Sequence, residues 1–157
     1  MNTGLIAGGY GSLYKTTDGG LTWDSLYSFP TAATCYDLYF VDDTLGFACG
    51  TTSMRIYKTI DGGNNWTQIW GDLPSRTCYE VYAVDENNIK IACSSSYFEY
   101  TTNGGTNWIE TDLGGTLYDM EFTDPMNGWV CGSDDTPYYT TDGGLTWNTA
   151  TSPTTST

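Results

Sequence analysis

The stretch Thr16-Thr17-Asp18-Gly19-Gly20-Leu21-Thr22-Trp23 decides how this chain folds, because the chain repeats it three more times. The later copies span residues 59–66, 101–108 and 140–147, and we call the four stretches the boxes. Their tryptophans follow one another at intervals of 43, 42 and 39 residues. A fixed period of this length is typical of a repeat architecture, in which each unit buries its apolar face by stacking on its neighbours.

Each repeat predicts four short antiparallel strands. Three repeats open with a Tyr-Asp/Glu-apolar run that ends in Asp, at 36–42, 79–85 and 118–124, and a second apolar run follows each. A third run enters the box and a fourth leaves it. Short runs of this kind between turn residues are typical of strands. Four strands in about 40 residues predict an all-β fold, a β-propeller built of four-stranded antiparallel blades.

The boxes themselves predict tight turns between the third and fourth strands. Asp or Asn accepts hydrogen bonds from nearby backbone N–H groups, and glycine tolerates a positive φ. The Trp that follows begins the outer strand and packs against the sheet. We therefore expect a structural role for the main box residues, which are Asp18, Gly20, Trp23, Asp61, Gly63, Trp66, Asn103, Gly105, Trp108, Asp142, Gly144 and Trp147.

The predicted repeats cover residues 4–28, 34–70, 77–112 and 117–150, within one propeller domain at 1–150. The first repeat begins at the equivalent of a second strand, so we expect the first blade to lack its innermost strand. Residues 151–157 are Thr, Ser and Pro only, which predicts a tail or linker. Three ways to complete the ring stay open: four blades, two paired chains, or part of a longer propeller. The missing strand favours the last two.

The box resembles the Asp-box, or bacterial neuraminidase repeat, of sialidases, sortilin-type receptors, secreted glycosidases and photosystem II assembly factors. Its combination with Asp-x-x-x-Gly-aromatic-small-Cys-Gly, as at residues 42–50, is most similar to the assembly-factor-like branch. The resemblance extends from residue 4 to about residue 150. It implies the propeller fold and a structural role for the box.

The charge of the chain excludes some partners. Five basic residues stand against 19 acidic ones, which gives a formal net charge of −14. Such a surface repels phosphate backbones and anionic lipids, so we expect no nucleic-acid partner. No apolar stretch approaches the roughly 18 residues of a membrane span, so we expect no membrane insertion. The abundance of Thr, Ser, Gly, Asn and Tyr predicts an extracellular, cell-surface or virion-surface location, with any signal peptide outside this chain.

Calcium is the one metal that the sequence suggests. Acidic pairs or single carboxylates fall in predicted turns at Asp42-Asp43, Asp85-Glu86, Asp124 and Asp134-Asp135, and calcium prefers oxygen ligands of this kind. None of these turns has the ordered ligand spacing of an EF-hand loop. We therefore expect no cofactor and no metal.

The five cysteines fall at repeated positions. Cys49, Cys93 and Cys131 align in the second strand, and Cys35 and Cys78 align just before the first strand. A small buried apolar side chain suits such a column. The count is odd and no Cys-x-x-Cys pair exists, so we expect buried free thiols rather than disulfides or zinc.

The inventory of side chains argues against an enzyme. A sialidase of this family needs three clustered arginines, and this chain has only Arg55 and Arg76. Without histidine it also lacks Ser-His-Asp and Cys-His systems. Paired carboxylates still allow glycoside hydrolysis, so a sialidase-like fragment stays as the third hypothesis.

A binding site is predicted on one end of the propeller, where the blade connections and the loops between second and third strands meet. Both arginines fall there with several aromatic residues, and these types anchor interfaces and stack on sugars. We call this set the loop surface: Tyr10, Arg55, Trp70, Arg76, Tyr97, Asp134 and Asp135.

The leading hypothesis from the sequence is a non-catalytic scaffold or recognition module of a secreted, cell-surface or virion protein. It would bind protein or glycan through the loop surface, and would self-associate or join further blades to complete its ring. The alternative is an assembly factor of the photosystem type. With two arginines, the chain lacks the arginine-rich patch that this resemblance implies.

Overall fold

The computed structural model describes residues 2–26, 29, 33–51, 54–69 and 76–151. These residues form four antiparallel sheets, and the predicted all-β propeller fold is confirmed. Of the predicted tail at 151–157, only Thr151 is described, and Trp70 of the loop surface lies outside the described residues. Within the described ranges no helix has the length and apolar character needed to span a membrane.

The four sheets follow one another along the chain, and we call them blades I to IV. Blade I contains β1 (Gly4–Ala7), β2 (Leu13–Thr16) and β3 (Asp24–Leu26). Blade II contains β4 (Cys35–Phe40), β5 (Gly46–Gly50), β6 (Ile56–Thr59) and β7 (Thr67–Gln68). Blade III contains β8 (Cys78–Ala83), β9 (Ile89–Cys93), β10 (Tyr97–Thr101) and β11 (Ile109–Asp112). Blade IV contains β12 (Leu117–Phe122), β13 (Gly128–Gly132), β14 (Tyr138–Thr140) and β15 (Asn148–Thr149).

Each blade is a simple meander in which consecutive strands pair. Blade I has three strands among the described residues, and its β1 pairs with β2 as the second strand of the other blades pairs with the third. The first strand that the other blades possess is therefore absent from the described part of blade I, as the sequence predicts.

The box turns are held by one recurring network of hydrogen bonds. In the first box, the Thr16 hydroxyl donates to Asp18 Oδ1 at 2.7 Å and accepts from the Gly20 N–H at 2.9 Å. Asp18 also accepts from the backbone N–H and hydroxyl of Thr22, at 3.0 and 2.6 Å. These bonds lower the pKa of Asp18 to about 2. In each of the other three boxes the first Thr hydroxyl likewise donates to the Asp or Asn, which also accepts from the backbone N–H four residues later.

The second glycine of the box also brings the turn against the preceding blade. At Gly63, φ is +83°, and an added Cβ would lie 2.4 Å from Leu5 Cδ2 of blade I. At Gly144, φ is +92°, and the Cβ would lie 2.6 Å from the ring of Phe98 in blade III. A side chain at either position would thus meet backbone strain and a collision together. The box is both a turn and part of the joint between blades.

The apolar core is divided among the three joints between blades. Between blades I and II lie Phe29, Ala33, Cys35, Ala48, Met54 and Tyr57. Between blades II and III lie Phe47, Cys49, Ile56, Cys78, Val81, Ala83, Ile89, Ile91 and Cys93. Between blades III and IV lie Ala92, Phe98, Leu113, Leu117, Met120, Phe122 and Val130. Blades II and III are therefore covered on both faces.

The outward faces of the two terminal blades are not covered by described residues. Ile6 and Tyr14 of blade I are exposed, and so are Trp129, Cys131 and Tyr139 of blade IV. The prediction that Cys131 is buried is wrong for this reason: Cys131 occupies the same strand position as Cys49, but no blade among the described residues packs on it. The other four cysteines are buried, and all five are free thiols in the structure.

The alignment of Cys93 with Cys49 is also wrong. Box residues Thr59 and Thr101 are equivalent, and their partners across the sheet are Gly46 and Ile89. Counting from these partners, Cys93 falls one position later than Cys49, in the column occupied by Gly50. Both strands contain the pair Ala-Cys, and aligning these pairs by sequence gave a register that differs by one residue from the one in the structure.

Candidate functional site

The structure places the described members of the loop surface at one end of the blades, in two kinds of connecting segment and, for Tyr97, at the start of β10. Tyr10, Arg55 and Asp134 lie between second and third strands, and Arg76 lies between blades II and III. Hydrogen bonds join the two kinds of segment, for example from the Ser94 N–H to the Thr77 carbonyl at 2.8 Å. Tyr10 has φ of 58° and is almost fully exposed, and Asp135 is exposed as well.

Arg76, in the connection between blades II and III, contacts partners in blade III. Its guanidinium donates to the buried Glu99 carboxylate, contacts Glu110 at 3.2 Å, and lies 3.6 Å from the centroid of the Tyr97 ring. Only 10% of its side chain is exposed. Burial raises the pKa of Glu99 to about 7, although Arg76 opposes that rise. Arg76 thus neutralises a buried carboxylate, and its donors are not presented to an outside anion.

One other loop-surface residue, Asp134, has a partner within its own blade. Asp134 Oδ2 accepts a hydrogen bond from the Tyr138 hydroxyl at 2.9 Å, within blade IV. Of the predicted set, the structure brings Arg76 and Tyr97 into contact, and adds Glu99 and Glu110, which the sequence analysis did not select. Ligand binding at the loop surface stays a prediction.

A second surface was missed by the sequence analysis, and it runs along the first strands of blades II, III and IV. Each of these strands carries a β-bulge, and the extra residue is a tyrosine: Tyr36, Tyr79 or Tyr118. The ring centroids of neighbouring tyrosines lie 5.2 and 5.4 Å apart. Tyr36 and Tyr118 are 50% and 53% exposed. We call these three residues the tyrosine ladder.

The bulges explain why the side chains of the tyrosine ladder are exposed. A bulge adds one residue to a strand and breaks the alternation of side chains, so the extra side chain is re-aimed. In each of the three strands the register shifts across the tyrosine, for example between Cys78 and Glu80. The signal in the sequence was the repeated Tyr-Asp/Glu pair, which by itself predicted only a strand.

Carboxylates follow the ladder, one from each blade: Asp37, Glu80 and Asp119. The Asp37 carboxylate accepts a hydrogen bond from the Val81 N–H of the next blade at 2.9 Å, so it helps to join blades II and III. Burial, with the nearby charges of Asp37 and Asp119 and a hydrogen bond to Asp119, raises the pKa of Glu80 to about 8. Burial likewise raises the pKa of Asp37.

The raised pKa of Glu80 predicts a pH-dependent stability. The folded chain holds this proton more tightly than the unfolded chain, so the stabilisation is complete below the unfolded pKa of about 4.3 and is lost as pH rises through about 8. We expect the free energy of unfolding to fall by about 2 kcal/mol between pH 5 and pH 8, a range that ends below the unfolded thiol pKa of about 8.5, since each pKa unit is worth about 1.4 kcal/mol and partial solvation reduces the effect. Urea titrations at several pH values measure this.

Glu80→Gln should remove most of that decline, while Glu86→Gln, at an exposed turn, should leave it in place. Glu99 acts in the same direction and will leave a smaller slope in Glu80→Gln. The lowered pKa values of Asp18 and Asp142, both about 2, act below this pH window. An equal pH slope in wild type and Glu80→Gln would show that the row of carboxylates does not hold the extra proton.

Three of the four acidic turns that suggested calcium use a carboxylate to bind their own backbone. Asp42 Oδ1 accepts from the N–H groups of Thr44 and Leu45, at 2.7 and 2.8 Å. Asp85 and Asp124 accept from their own turns in the same way. Among the described residues, no group of three or more His, Cys, Asp or Glu side chains is arranged to hold a metal ion.

Comparison with known proteins gives the family of this chain. Residues 24–117, more than half of its length, match the family described as photosynthesis system II assembly factor YCF48. The chain belongs to this family. The curated photosystem II stability/assembly factor HCF136, a chloroplastic protein of Guillardia theta, is 43% identical over 58 residues, which cover 34% of this chain and 15% of that protein.

Two solved structures of YCF48 share the fold. YCF48 from Cyanidioschyzon merolae superposes with a TM-score of 0.76 at 22% identity, over 98% of this chain and 54% of that one. YCF48 bound to D1 peptide gives a TM-score of 0.63 at 24% identity, over 77% of this chain and 40% of that one. The chain therefore spans about half, or less, of the length of these relatives.

These findings correct the hypotheses drawn from the sequence. The predicted extracellular, cell-surface or virion-surface location is wrong, because the matched family consists of photosystem II assembly factors and the curated relative is chloroplastic. The leading hypothesis of a secreted module has no support in the comparisons. They support the alternative, a propeller of the photosystem assembly-factor type.

Proposed function

We propose that this chain is a protein-binding module of the photosystem II assembly-factor type, which binds a peptide segment of a photosystem II subunit. The match of residues 24–117 to the assembly-factor family carries this proposal. The relative solved in complex with D1 peptide supports a peptide as the partner. The role is one of binding and requires no catalysis by the chain, and its place of action would be the compartment where photosystem II is assembled.

The tyrosine ladder is the surface that we propose for this peptide. It offers three adjacent aromatic rings on three different blades, held by bulges in the strands rather than by long loops. Tyrosine provides a large, rigid contact area with a polar end, which suits protein recognition. Asp119 and Glu121 are exposed beside Tyr118, so we expect the bound segment to carry a basic residue near an apolar one.

Binding of fluorescently labelled peptides that tile the D1 protein, measured by fluorescence anisotropy, tests the proposal. We expect one region of D1 to bind, and Tyr79→Ala to weaken it by about tenfold or more, equivalent to ~1.4 kcal/mol. Tyr139→Ala is the matched control, because Tyr139 is an exposed strand tyrosine outside the ladder. Thermal unfolding of each variant checks that the fold is retained.

Arg55→Ala extends the experiment to the loop surface. If Arg55→Ala weakens the peptide and Tyr79→Ala does not, the site is the loop surface and the ladder assignment is wrong. If no D1 peptide binds the wild-type chain, the proposed partner is wrong.

A further inference from the structure

Cys78 and Cys93 stand directly opposite each other in the antiparallel pair formed by β8 and β9. Their sulfur atoms lie 2.6 Å apart, and both side chains are fully buried. A disulfide has an S–S distance of about 2.05 Å, so bond formation requires an approach of roughly half an ångström. No movement of one blade against another is needed, because both residues belong to blade III.

The position of Cys93 makes this contact unusual within the repeat. The equivalent residues of blades II and IV are Gly50 and Gly132, which pair with Cys35 and Leu117. At these glycines an added Cβ would lie 2.0 and 2.1 Å from backbone carbonyl oxygens. Blade III alone among these three carries a side chain here, and that side chain is a thiol facing a second thiol. Glycine occupies this position in blades II and IV, so the facing pair of thiols is specific to blade III.

We propose that Cys78 and Cys93 form a reversible dithiol–disulfide pair that locks the first two strands of blade III. The oxidant would be a thiol-exchanging disulfide, such as glutathione disulfide. One cysteine thiolate attacks the oxidant's S–S bond, which gives a mixed disulfide and releases one thiol. The second cysteine thiolate attacks the sulfur of the first, forms the Cys78–Cys93 bond and releases the second thiol. Two electrons and two protons pass to the oxidant.

Two factors control formation of the disulfide: access of the oxidant to the buried sulfur atoms, and competition from a third thiol in the same core. Since both sulfurs are fully buried, exchange takes place before blade III packs on blade II or during a local opening. Burial raises the pKa of the Cys93 thiol, which further slows attack in the closed fold. Cys49 packs in the same core from blade II and is the competing thiol. A Cys49–Cys78 bond would join two blades, whereas the direct contact favours Cys93.

A peptide map tests the pairing on the intact chain. The reduced chain is refolded with glutathione disulfide, its free thiols are alkylated after denaturation, and it is digested with trypsin. Trypsin cleavage at Arg76 and Lys90 puts Cys78 on residues 77–90 and puts Cys93 and Cys131 on residues 91–157. A disulfide between these two peptides in which Cys131 is alkylated identifies the proposed bond. We expect this linked pair, its separation on reduction, and alkylation at Cys35, Cys49 and Cys131. Five alkylated cysteines, or a linkage through Cys49, would overturn the proposal.

Thermal unfolding provides the second measurement. Oxidation should raise the Tm by about 5–10 °C, the size expected for closing a loop of about 15 residues in a chain of this length. Cys49→Ala, a matched change of a buried cysteine, should keep the rise, and Cys93→Ala should abolish it. A rise that persists in Cys93→Ala would contradict the assignment. If Cys93→Ala does not fold, the peptide map of the wild-type chain decides alone.

Discussion

Replacing Arg76 by Ala should lower the free energy of unfolding by about 3–5 kcal/mol, the cost of leaving a buried charge without its partner. Glu99 is fully buried and accepts a hydrogen bond from the guanidinium of Arg76, which Glu110 and the Tyr97 ring also contact. Loss of Arg76 forces Glu99 either to stay charged in an apolar region or to take up a proton. Urea titration at pH 7 measures the loss.

Two variants separate this explanation from a general effect of removing a cation. Lys58→Ala breaks an exposed ion pair with Glu86 and should cost about 1 kcal/mol or less. Adding Glu99→Gln to Arg76→Ala removes the stranded charge and should restore part of the lost stability. A loss of stability in Arg76→Ala no larger than that in Lys58→Ala would show that Arg76 does not stabilise the fold. Arg76 would then again be a candidate for ligand binding.

Replacing Trp66 by Ala should lower the free energy of unfolding by about 3–5 kcal/mol, the range for removing a large aromatic side chain from a core. The Trp66 ring packs on Phe29 and Phe40, at centroid distances of 5.3 and 6.2 Å. Its indole N–H donates to the Gly63 carbonyl of the same box at 3.0 Å. The substitution therefore opens a cavity in the joint between blades I and II and loosens the box turn. Thermal or urea unfolding measures the loss.

Trp23→Ala is the matched control, because Trp23 has the same place in the first box but is 40% exposed. With no described blade packed before blade I, we expect a loss of about 1–2 kcal/mol. The four boxes thus share their hydrogen bonds but differ in the burial of their tryptophans. Equal losses in Trp23→Ala and Trp66→Ala would mean that the box tryptophan acts within its own turn and not in the joint between blades.

The fold could be predicted from the sequence because the hydrogen bonds of each box turn join residues that are close together in the chain. Thr16, Asp18 and Gly20 form their bonds within five residues, so a motif of eight residues contains nearly all of the information for the turn. The missing first strand of blade I could also be predicted, because the first repeat lacks a segment that the other three repeats contain.

Contacts across strands and blades could not be read in the same way. Arg76 meets Glu99 from a position 23 residues away, through strand pairing that the sequence pattern fixes only approximately. The register of Cys93 depends on its hydrogen-bonded neighbours, and a chance Ala-Cys match suggested another register. The tyrosine ladder depends on bulges and on the stacking of three blades, and neither leaves a local signal beyond a repeated Tyr.

The predicted location failed for a different reason. A composition rich in Thr, Ser, Gly, Asn and Tyr describes a rigid β surface with few basic residues, and this chemistry is not tied to one compartment. The family match supplied information that composition does not contain.

Native-state hydrogen exchange, compared at the third strand of each blade, tests most directly the claim that the cores lie between the blades. The strands β2, β6, β10 and β14 are equivalent and each pairs on both sides. If the joints carry the stability, the amides of β6 and β10 should exchange more slowly than those of β2 and β14, by about tenfold for each 1.4 kcal/mol of difference in opening free energy. Equal protection of all four strands at low protein concentration would contradict the claim, because it would show that each blade is stabilised from within.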